Sequence, residues 1–283
     1  MRRTLLSFCA LALAAPLAVP LAAPALAKDK ITDAQALAVV LADPRRDGDR
    51  ARDAHRHPAQ TLALCKVKPG QTVIDYMPSN GWYTRILVPY LGEKGRYIGL
   101  NPDVRNASDY FKKNFSDTAT NLPPKVAEWT GVTGDRIGAY NSDSVPDSLN
   151  GKVDRALIMR EVHNLWRQGL LRSELRTIWN LLDDDGLLCI EQHRAKAKAP
   201  FSYTDGSKGY LREKDVIALI EAHGFELAGK SEINANKKDP ANWPNGVWTL
   251  PPNLGGVKDE AERARLIEIG ESDRMTLVFR KRK

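Results

Sequence analysis

Hydrophobic and polar positions follow two periods along most of this chain, one typical of buried strands and one of amphipathic helices. Short apolar runs predict seven strands, at residues 73–76, 97–100, 126–129, 154–159, 187–191, 225–232 and 275–280. Most of the intervening segments have helical spacing. Strands that alternate with helices predict a parallel sheet covered on both faces. The last two runs have no predicted helix between them, so these two strands are expected to pair antiparallel.

Helix signals begin near the start of this pattern. Thr32 and Gln35 have capping-box spacing, and the apolar positions that follow predict a helix ending before Asp43-Pro44. A second helix is predicted from Pro58 to Leu64. Longer helices are predicted at residues 82–91, 104–115, 170–182 and 211–223.

Two polar segments interrupt the alternation. Residues 43–58, "DPRRDGDRARDAHRHP", contain no large apolar side chain and predict a solvated, salt-bridged helix or loop. The alternative is a lid in which Arg52 or Arg56 pairs with an acidic substrate group. Residues 233–272 form a long excursion before the last strand, and such excursions are usually functional or mobile. Its tryptophans, Trp243 and Trp248, favour an ordered segment that forms a wall of a binding cleft.

The first 27 residues differ from the rest. Arg2 and Arg3 precede an apolar run that ends at Ala25-Leu26-Ala27, the pattern of a secretory signal peptide cleaved after Ala27. A permanent membrane anchor is the alternative, but three prolines within the run argue against it. The sequence therefore predicts export, to the periplasm or beyond. It also predicts an N-terminal helix and charged segment at 28–58, which packs on a main domain at 59–283.

The net charge and its distribution indicate which classes of binding partner are expected. The formal net charge is +7, and removal of the leader, with its two arginines and no acids, leaves +5. Basic and acidic residues are mixed, and no basic face with interleaved aromatic residues appears. The pattern therefore excludes nucleic acid as the expected partner and favours a small-molecule ligand without a stable membrane span. Oligomeric state is left open.

Two cysteines, Cys65 and Cys189, remain after leader removal. An oxidising compartment would allow them to pair. Because Cys189 lies in an apolar run and Cys65 follows a helix-like segment, two buried free thiols are the favoured interpretation.

Several segments resemble a known family. "VKPGQTVIDYMPSNGWYTRILVPYLGEKGRYIGLN", "LLDDDGLLCIEQHRA" and "GYLREKDVIALIEAHGFELAG" are similar to the class I S-adenosylmethionine-dependent methyltransferases. "DPRRDGDRARDAHRHP", "NGWYT", "SEINAN", "GVWTLPP" and "IGESDRMTL" resemble a bacterial exported subgroup of predicted methyltransferases. The resemblance implies a doubly wound, mostly parallel seven-stranded sheet whose last strand is antiparallel.

The resemblance also implies a site for S-adenosylmethionine. The implied cofactor-binding residues are Asp75, Tyr76, Ser79, Gly81, Asn101 and Glu128. In the family an acid is followed by a G-x-G-x-G loop, but here Met77 and Ser79 replace two glycines. These replacements fit the loop if their φ angles are negative. Asn101 stands where the family has the acid that binds the ribose, so a retained pocket with altered chemistry is expected.

Candidate catalytic residues follow the fourth and fifth strands, where α/β sheets place their ligands. They are His163, Glu161 and His193. His163 is a candidate general base because the ordinary pKa of histidine lies near neutrality. The alternative is that it caps a helix or packs against Trp166. No spacing typical of metal ligands is present, so no metal is expected.

Two functions remain open at this stage. One is an exported methyltransferase acting on an unknown small-molecule or envelope acceptor. The other is a non-catalytic ligand-binding protein on a degenerate methyltransferase fold. A hydrolase is disfavoured because the chain has no G-x-S-x-G nucleophile motif.

Overall fold

Seven strands form one sheet in the computed structural model, which describes residues 31–283. The strands are β1 (Thr72–Tyr76), β2 (Arg96–Asn101), β3 (Ile137–Asn141), β4 (Val153–Met159), β5 (Leu182–His193), β6 (Phe225–Ser231) and β7 (Arg274–Lys281). Their order across the sheet is β3-β2-β1-β4-β5-β7-β6. β1 to β5 are parallel to one another, and β7 is antiparallel to both β5 and β6.

Helices cover both faces of this sheet. They are α1 (Asp33–Leu41), α2 (Asp53–Arg56), α3 (Pro58–Leu64), α4 (Thr84–Leu91), α5 (Asp109–Phe115), α6 (Thr118–Thr130), α7 (Val162–Arg167), α8 (Leu171–Leu181), α9 (Phe201–Thr204), α10 (Glu213–Glu221) and α11 (Glu260–Ile269). The predicted fold class is therefore confirmed: the sheet is doubly wound, mostly parallel, and has the strand arrangement of the class I methyltransferase fold.

Alternation along the central strands creates the two layers. Ile74 of β1 and Ile158 of β4 pack in one apolar cluster with α7, α8 and α10. Their neighbours Val73 and Leu157 pack in a second cluster on the opposite face, with α1, α3, α4 and α6. Successive side chains of a strand point to opposite faces, so an unbroken apolar run serves both layers.

The third strand was wrongly predicted. Residues 126–129 belong to α6, and the third strand of the sheet is Ile137–Asn141. Leu122, Val126 and Thr130 are buried at intervals of four, which is the period of a helix. The short apolar run alone did not distinguish a strand from a buried turn of helix.

The prediction of two free thiols is also wrong. Cys65, at the end of α3, and Cys189, in β5, form a disulfide with a Cα–Cα distance of 5.8 Å. The two residues are 124 positions apart in sequence. Their proximity depends on α3 packing across β5, which neither local pattern reveals.

The N-terminal region agrees in part with its prediction. The capping box of α1 is confirmed, since Thr32 and Gln35 exchange hydrogen bonds between side chain and backbone. The charged segment at 43–58 is less solvated than expected. Arg46 is fully buried and donates two hydrogen bonds to Asp53.

The excursion at 233–272 contains α11, so the last two strands do have a helix between them. Their antiparallel pairing is nevertheless confirmed. The proposed leader, residues 1–27, lies outside the described residues. Within residues 31–283, no helix is both long and apolar enough to cross a membrane.

Candidate functional site

A cavity of about 430 Å³ opens at the carboxyl ends of β1, β4 and β5. The strand order reverses between β1 and β4, and ligands of open α/β sheets bind at such a point. Ser79 and Asn80 line the cavity from the loop after β1, and His193 lines it from the end of β5. Trp248 contributes a wall from the excursion, as predicted, whereas Trp243 is buried elsewhere.

The loop after β1 keeps the left-handed backbone of a glycine-rich loop, although two of the three glycines are replaced. Met77, Ser79 and Gly81 have φ angles of 52°, 51° and 76°. The condition of negative φ angles, under which Met77 and Ser79 would fit the loop without strain, is therefore not met. Left-handed residues other than glycine are strained, typically by about 1–2 kcal/mol each, and such strain concentrates at ligand sites.

Gly81 has a second reason to be glycine. A Cβ atom at this position would overlap the indole ring of Trp129, which packs against the loop from α6. The loop therefore enters α4 in close contact with a neighbouring helix, and any larger residue would displace one of them.

Asp75 and Tyr76 lie beneath the loop and line neither of the cavities at this edge. The carboxylate of Asp75 is buried and accepts hydrogen bonds from Thr84 (2.9 Å) and Tyr97 (3.0 Å). Burial raises the pKa of Asp75 to about 6, although both hydrogen bonds oppose the shift. The hydroxyl of Tyr76 donates to Glu174 at 2.8 Å. Both residues thus hold the end of β1 in place from below.

A second cavity, of about 290 Å³, lies on the other side of the same loop. Ser79 lines both cavities, and Asn101, at the end of β2, lines the smaller one. The Nδ2 atom of Asn101 donates to Thr118 at 2.9 Å. Its Oδ1 atom is buried without a hydrogen-bond partner among the described residues. A buried acceptor left unpaired in this way costs free energy unless a ligand satisfies it.

Glu128 is not brought to this edge of the sheet. It lies on α6, not on a strand, and faces a separate surface cleft with Arg45 and Arg85. Glu128 was assigned to the site because residues 126–129 were predicted to be the third strand.

His163 and His193 line the larger cavity together, with ring centroids 5.6 Å apart. Burial lowers the pKa of His163 to about 4 and holds that of His193 well below its usual range. The Nδ1 atom of His193 lies 2.6 Å from the hydroxyl of Ser272. Both rings are therefore neutral at neutral pH, which makes them weaker bases than the sequence suggested.

Glu161 is the group in the cavity that titrates near neutrality. It follows β4, lines the cavity and accepts a hydrogen bond from Asn164 at 2.7 Å. Burial raises the pKa of Glu161 to about 7, against the opposing effects of Asn164 and Arg160. A general base works best when its pKa is near the working pH, and Glu161 meets that condition.

Arginines form the remaining polar wall. They are Arg52, Arg56, Arg160 and Arg274. The sequence indicated Arg52 and Arg56 as candidates, but it assigned no role to Arg274 or to its partner Glu271. Those two lie within "IGESDRMTL", a segment quoted above only for its resemblance to the exported subgroup, without a role for either residue. Contact across the fold was the missing information. Among the described residues, no group of three or more metal-ligating side chains has an arrangement that could hold a metal ion.

No family model and no curated protein sequence matches the chain, and the exported subgroup therefore gains no support from either comparison. A SAM-dependent methyltransferase from Aquifex aeolicus aligns with 72% of this chain and 94% of its own, at 17% identity and a TM-score of 0.48. The fold rests on the strand order described above rather than on such alignments.

Two further solved structures are similar at the same level. One is 1,6-didemethyltoxoflavin-N1-methyltransferase from Burkholderia thailandensis, with bound S-adenosylhomocysteine; it aligns over 95% of each chain at 17% identity, with a TM-score of 0.47. The other is the [4+2]-cyclase SpnF, which aligns over 89% of this chain and 96% of its own at 13% identity, with a TM-score of 0.49.

Proposed function

We propose that this protein is an exported, S-adenosylmethionine-dependent methyltransferase acting on a small molecule. The observation that carries the proposal is the unpaired, buried Oδ1 of Asn101 at the end of β2, beside a loop with left-handed residues at Met77, Ser79 and Gly81. A ribose hydroxyl would donate the hydrogen bond that this oxygen lacks. The residues present therefore fit an adenosyl cofactor, although the charge of an acidic residue is missing.

The two cavities on either side of the loop suggest separate places for the cofactor and the methyl acceptor. Asn101 would hold the adenosyl end in the smaller cavity, and Ser79 lies where the two cavities meet. When bound, S-adenosylmethionine supplies an electrophilic methyl group. Glu161 in the larger cavity would take the proton from a hydroxyl or amine acceptor, while the buried walls position the acceptor and limit its contact with water.

Export is part of the same proposal. The leader at residues 1–27 and the disulfide between Cys65 and Cys189 both support it, because disulfides persist in oxidising compartments.

The test is calorimetric titration of residues 28–283 with S-adenosylmethionine and S-adenosylhomocysteine. We expect saturable binding that weakens about tenfold in Asn101→Ala, through loss of one hydrogen bond to the ligand. Asn101→Asp should bind at least as tightly as the wild type, because a carboxylate forms a charge-assisted bond. Asn180→Ala, an exposed change outside both cavities, is the matched control.

Absence of binding for both compounds would reject the cofactor assignment. The protein would then be better described as a ligand-binding protein on a methyltransferase-like fold.

A further inference from the structure

Four guanidinium groups surround one end of the larger cavity, and they come from three separate parts of the chain. Arg52 and Arg56 belong to the charged segment at 43–58, Arg160 follows β4, and Arg274 begins β7. Arg56 and Arg274 are 3% and 1% exposed, so they are part of the interior and not of a solvated surface. Arg160 has a φ angle of 65°, a left-handed conformation that is strained for a residue other than glycine.

Two buried carboxylates lie among these arginines. Glu271 accepts hydrogen bonds from Nε of Arg52 (3.1 Å), Nε of Arg56 (2.9 Å) and Nη1 of Arg274 (2.5 Å). Glu191 lies 2.9 Å from Nε of Arg274 and 3.3 Å from Nη1 of Arg160. Burial alone would raise the pKa of both carboxyls, but the surrounding arginines hold each pKa below its usual range. Both are therefore ionised.

The cluster has more positive than negative charge. Two ionised carboxylates face four guanidiniums, and the neighbouring His163 and His193 are neutral. Glu161, the other acid that lines the cavity, is largely protonated below about pH 7. Buried charges are normally compensated, so a surplus of positive charge inside a cavity indicates an anionic ligand.

Donors as well as charge are available. In the described residues, Arg52 and Arg56 each use only Nε in hydrogen bonds, both to Glu271. Their terminal nitrogens have no hydrogen-bond partner there, and both residues line the cavity. Paired guanidinium nitrogens match the oxygens of phosphate and carboxylate groups.

Apolar side chains also line this cavity. They are Val247, Trp248, Leu250 and Pro251. An anion carrying an organic group would therefore meet both charged and apolar side chains in one cavity.

We propose that the arginine cluster binds the acceptor through a doubly charged oxyanion, so that the acceptor is a phosphate monoester. Its designation as the acceptor rests on the proposed methyl transfer; the anion site itself does not. Below about pH 7, where Glu161 is protonated, a phosphate dianion matches the two surplus positive charges, which a single carboxylate would only half neutralise; ionisation of Glu161 leaves a surplus of one.

The first measurement is calorimetric titration of residues 28–283 with inorganic phosphate and with phenyl phosphate, in chloride buffer of constant ionic strength. We expect each to bind at one site, with phenyl phosphate at least as tight as inorganic phosphate. Arg52→Gln and Arg160→Gln should each weaken both ligands at least tenfold. Arg172→Gln removes the same charge from an exposed basic cleft elsewhere and should leave the affinities unchanged. Thermal unfolding of each variant would show that it is folded.

The outcomes separate this inference from the proposed function. Phosphate binding without any binding of S-adenosylmethionine would support the anion site and reject methyl transfer. Competition between phenyl phosphate and S-adenosylmethionine would assign the arginines to the carboxylate of the cofactor and overturn the acceptor site. Binding of inorganic phosphate with exclusion of phenyl phosphate would overturn the monoester. No saturable binding, or equal loss in Arg172→Gln, would overturn the site itself.

Discussion

At the scale of single residues, the candidate site depends on a few side chains whose environment changes their ordinary behaviour. Histidine is the residue from which proton transfer near neutral pH is usually expected. Here burial leaves His163 and His193 neutral and moves Glu161 into that range. The sequence identified all three positions, because each follows a strand, but the order of their basicity depends on burial that only the fold creates.

The raised pKa of Glu161 has a consequence for stability. The folded protein holds this proton up to about pH 7, whereas the unfolded chain releases it near the ordinary value of 4.5. Between these values the folded state binds more protons, so the free energy of unfolding falls as pH rises. We expect this contribution to be on the order of 3 kcal/mol in the wild type and absent in Glu161→Gln.

Urea unfolding of both proteins at several pH values between 4.5 and 8 measures the difference. The lowered pKa of His163 has the opposite effect, because it makes the free energy of unfolding fall as pH falls. This contribution is the same in both proteins. Parallel profiles for the two proteins would show that Glu161 has an ordinary pKa.

The left-handed loop yields a second prediction at this scale. Ser79 is exposed and has a φ angle of 51°, so Ser79→Gly should relieve strain without loss of packing. Because glycine also increases the entropy of the unfolded chain, the net gain should be about 0.5–1 kcal/mol. Ser108, which is exposed with a φ angle of −61°, is the control. Thermal unfolding should show a higher melting temperature for Ser79→Gly and no gain for Ser108→Gly.

At the scale of elements, long segments with a clear period were predicted well, and short ambiguous ones were not. β1, α4 and β2 were recognisable because a strand, a helix and a strand follow in quick succession with turn residues between them. The third strand was misplaced because residues 126–129 combine apolar side chains with no distinguishing flanks. Helix α11 was missed because few of its side chains are buried, so its apolar positions show no helical stripe.

The disulfide belongs to this scale because it joins α3 to β5. It closes a loop across 124 positions of sequence, which restricts the unfolded chain strongly. Replacing both cysteines with alanine should lower the free energy of unfolding by about 2–5 kcal/mol. Chemical denaturation of the wild type with and without reductant should give a similar difference. Equal stability of the reduced and oxidised wild type would show that the bond does not form in solution.

At the scale of the whole molecule, the proposed export predicts a mature protein with a defined N-terminus. When the full chain is produced in a Gram-negative host, we expect the periplasmic fraction to contain a chain beginning at Lys28. Mass spectrometry of the intact protein measures this directly, and replacement of Arg2 and Arg3 by Gln should reduce the exported fraction. An intact N-terminus in the cytoplasm would instead place the protein with the cytosolic supply of S-adenosylmethionine.

The candidate site as a whole was only partly predictable. Sequence order places Ser79, Asn101 and Glu161 after strands, and parallel strands bring those ends together. The meeting of Arg56 with Glu271, 215 positions apart, depends on how two irregular segments fold over the sheet edge. No periodic pattern records such a contact.

Recognition, as proposed, would not depend on the strands of the sheet. Arg52 and Arg56 stand on a short segment that adds no strand, and Glu271 accepts hydrogen bonds from both. Under the proposed anion site, substitution of these cavity-lining arginines would change which molecule is selected while β1, β4 and β5 keep their register. Specificity and fold would then depend on different parts of the chain.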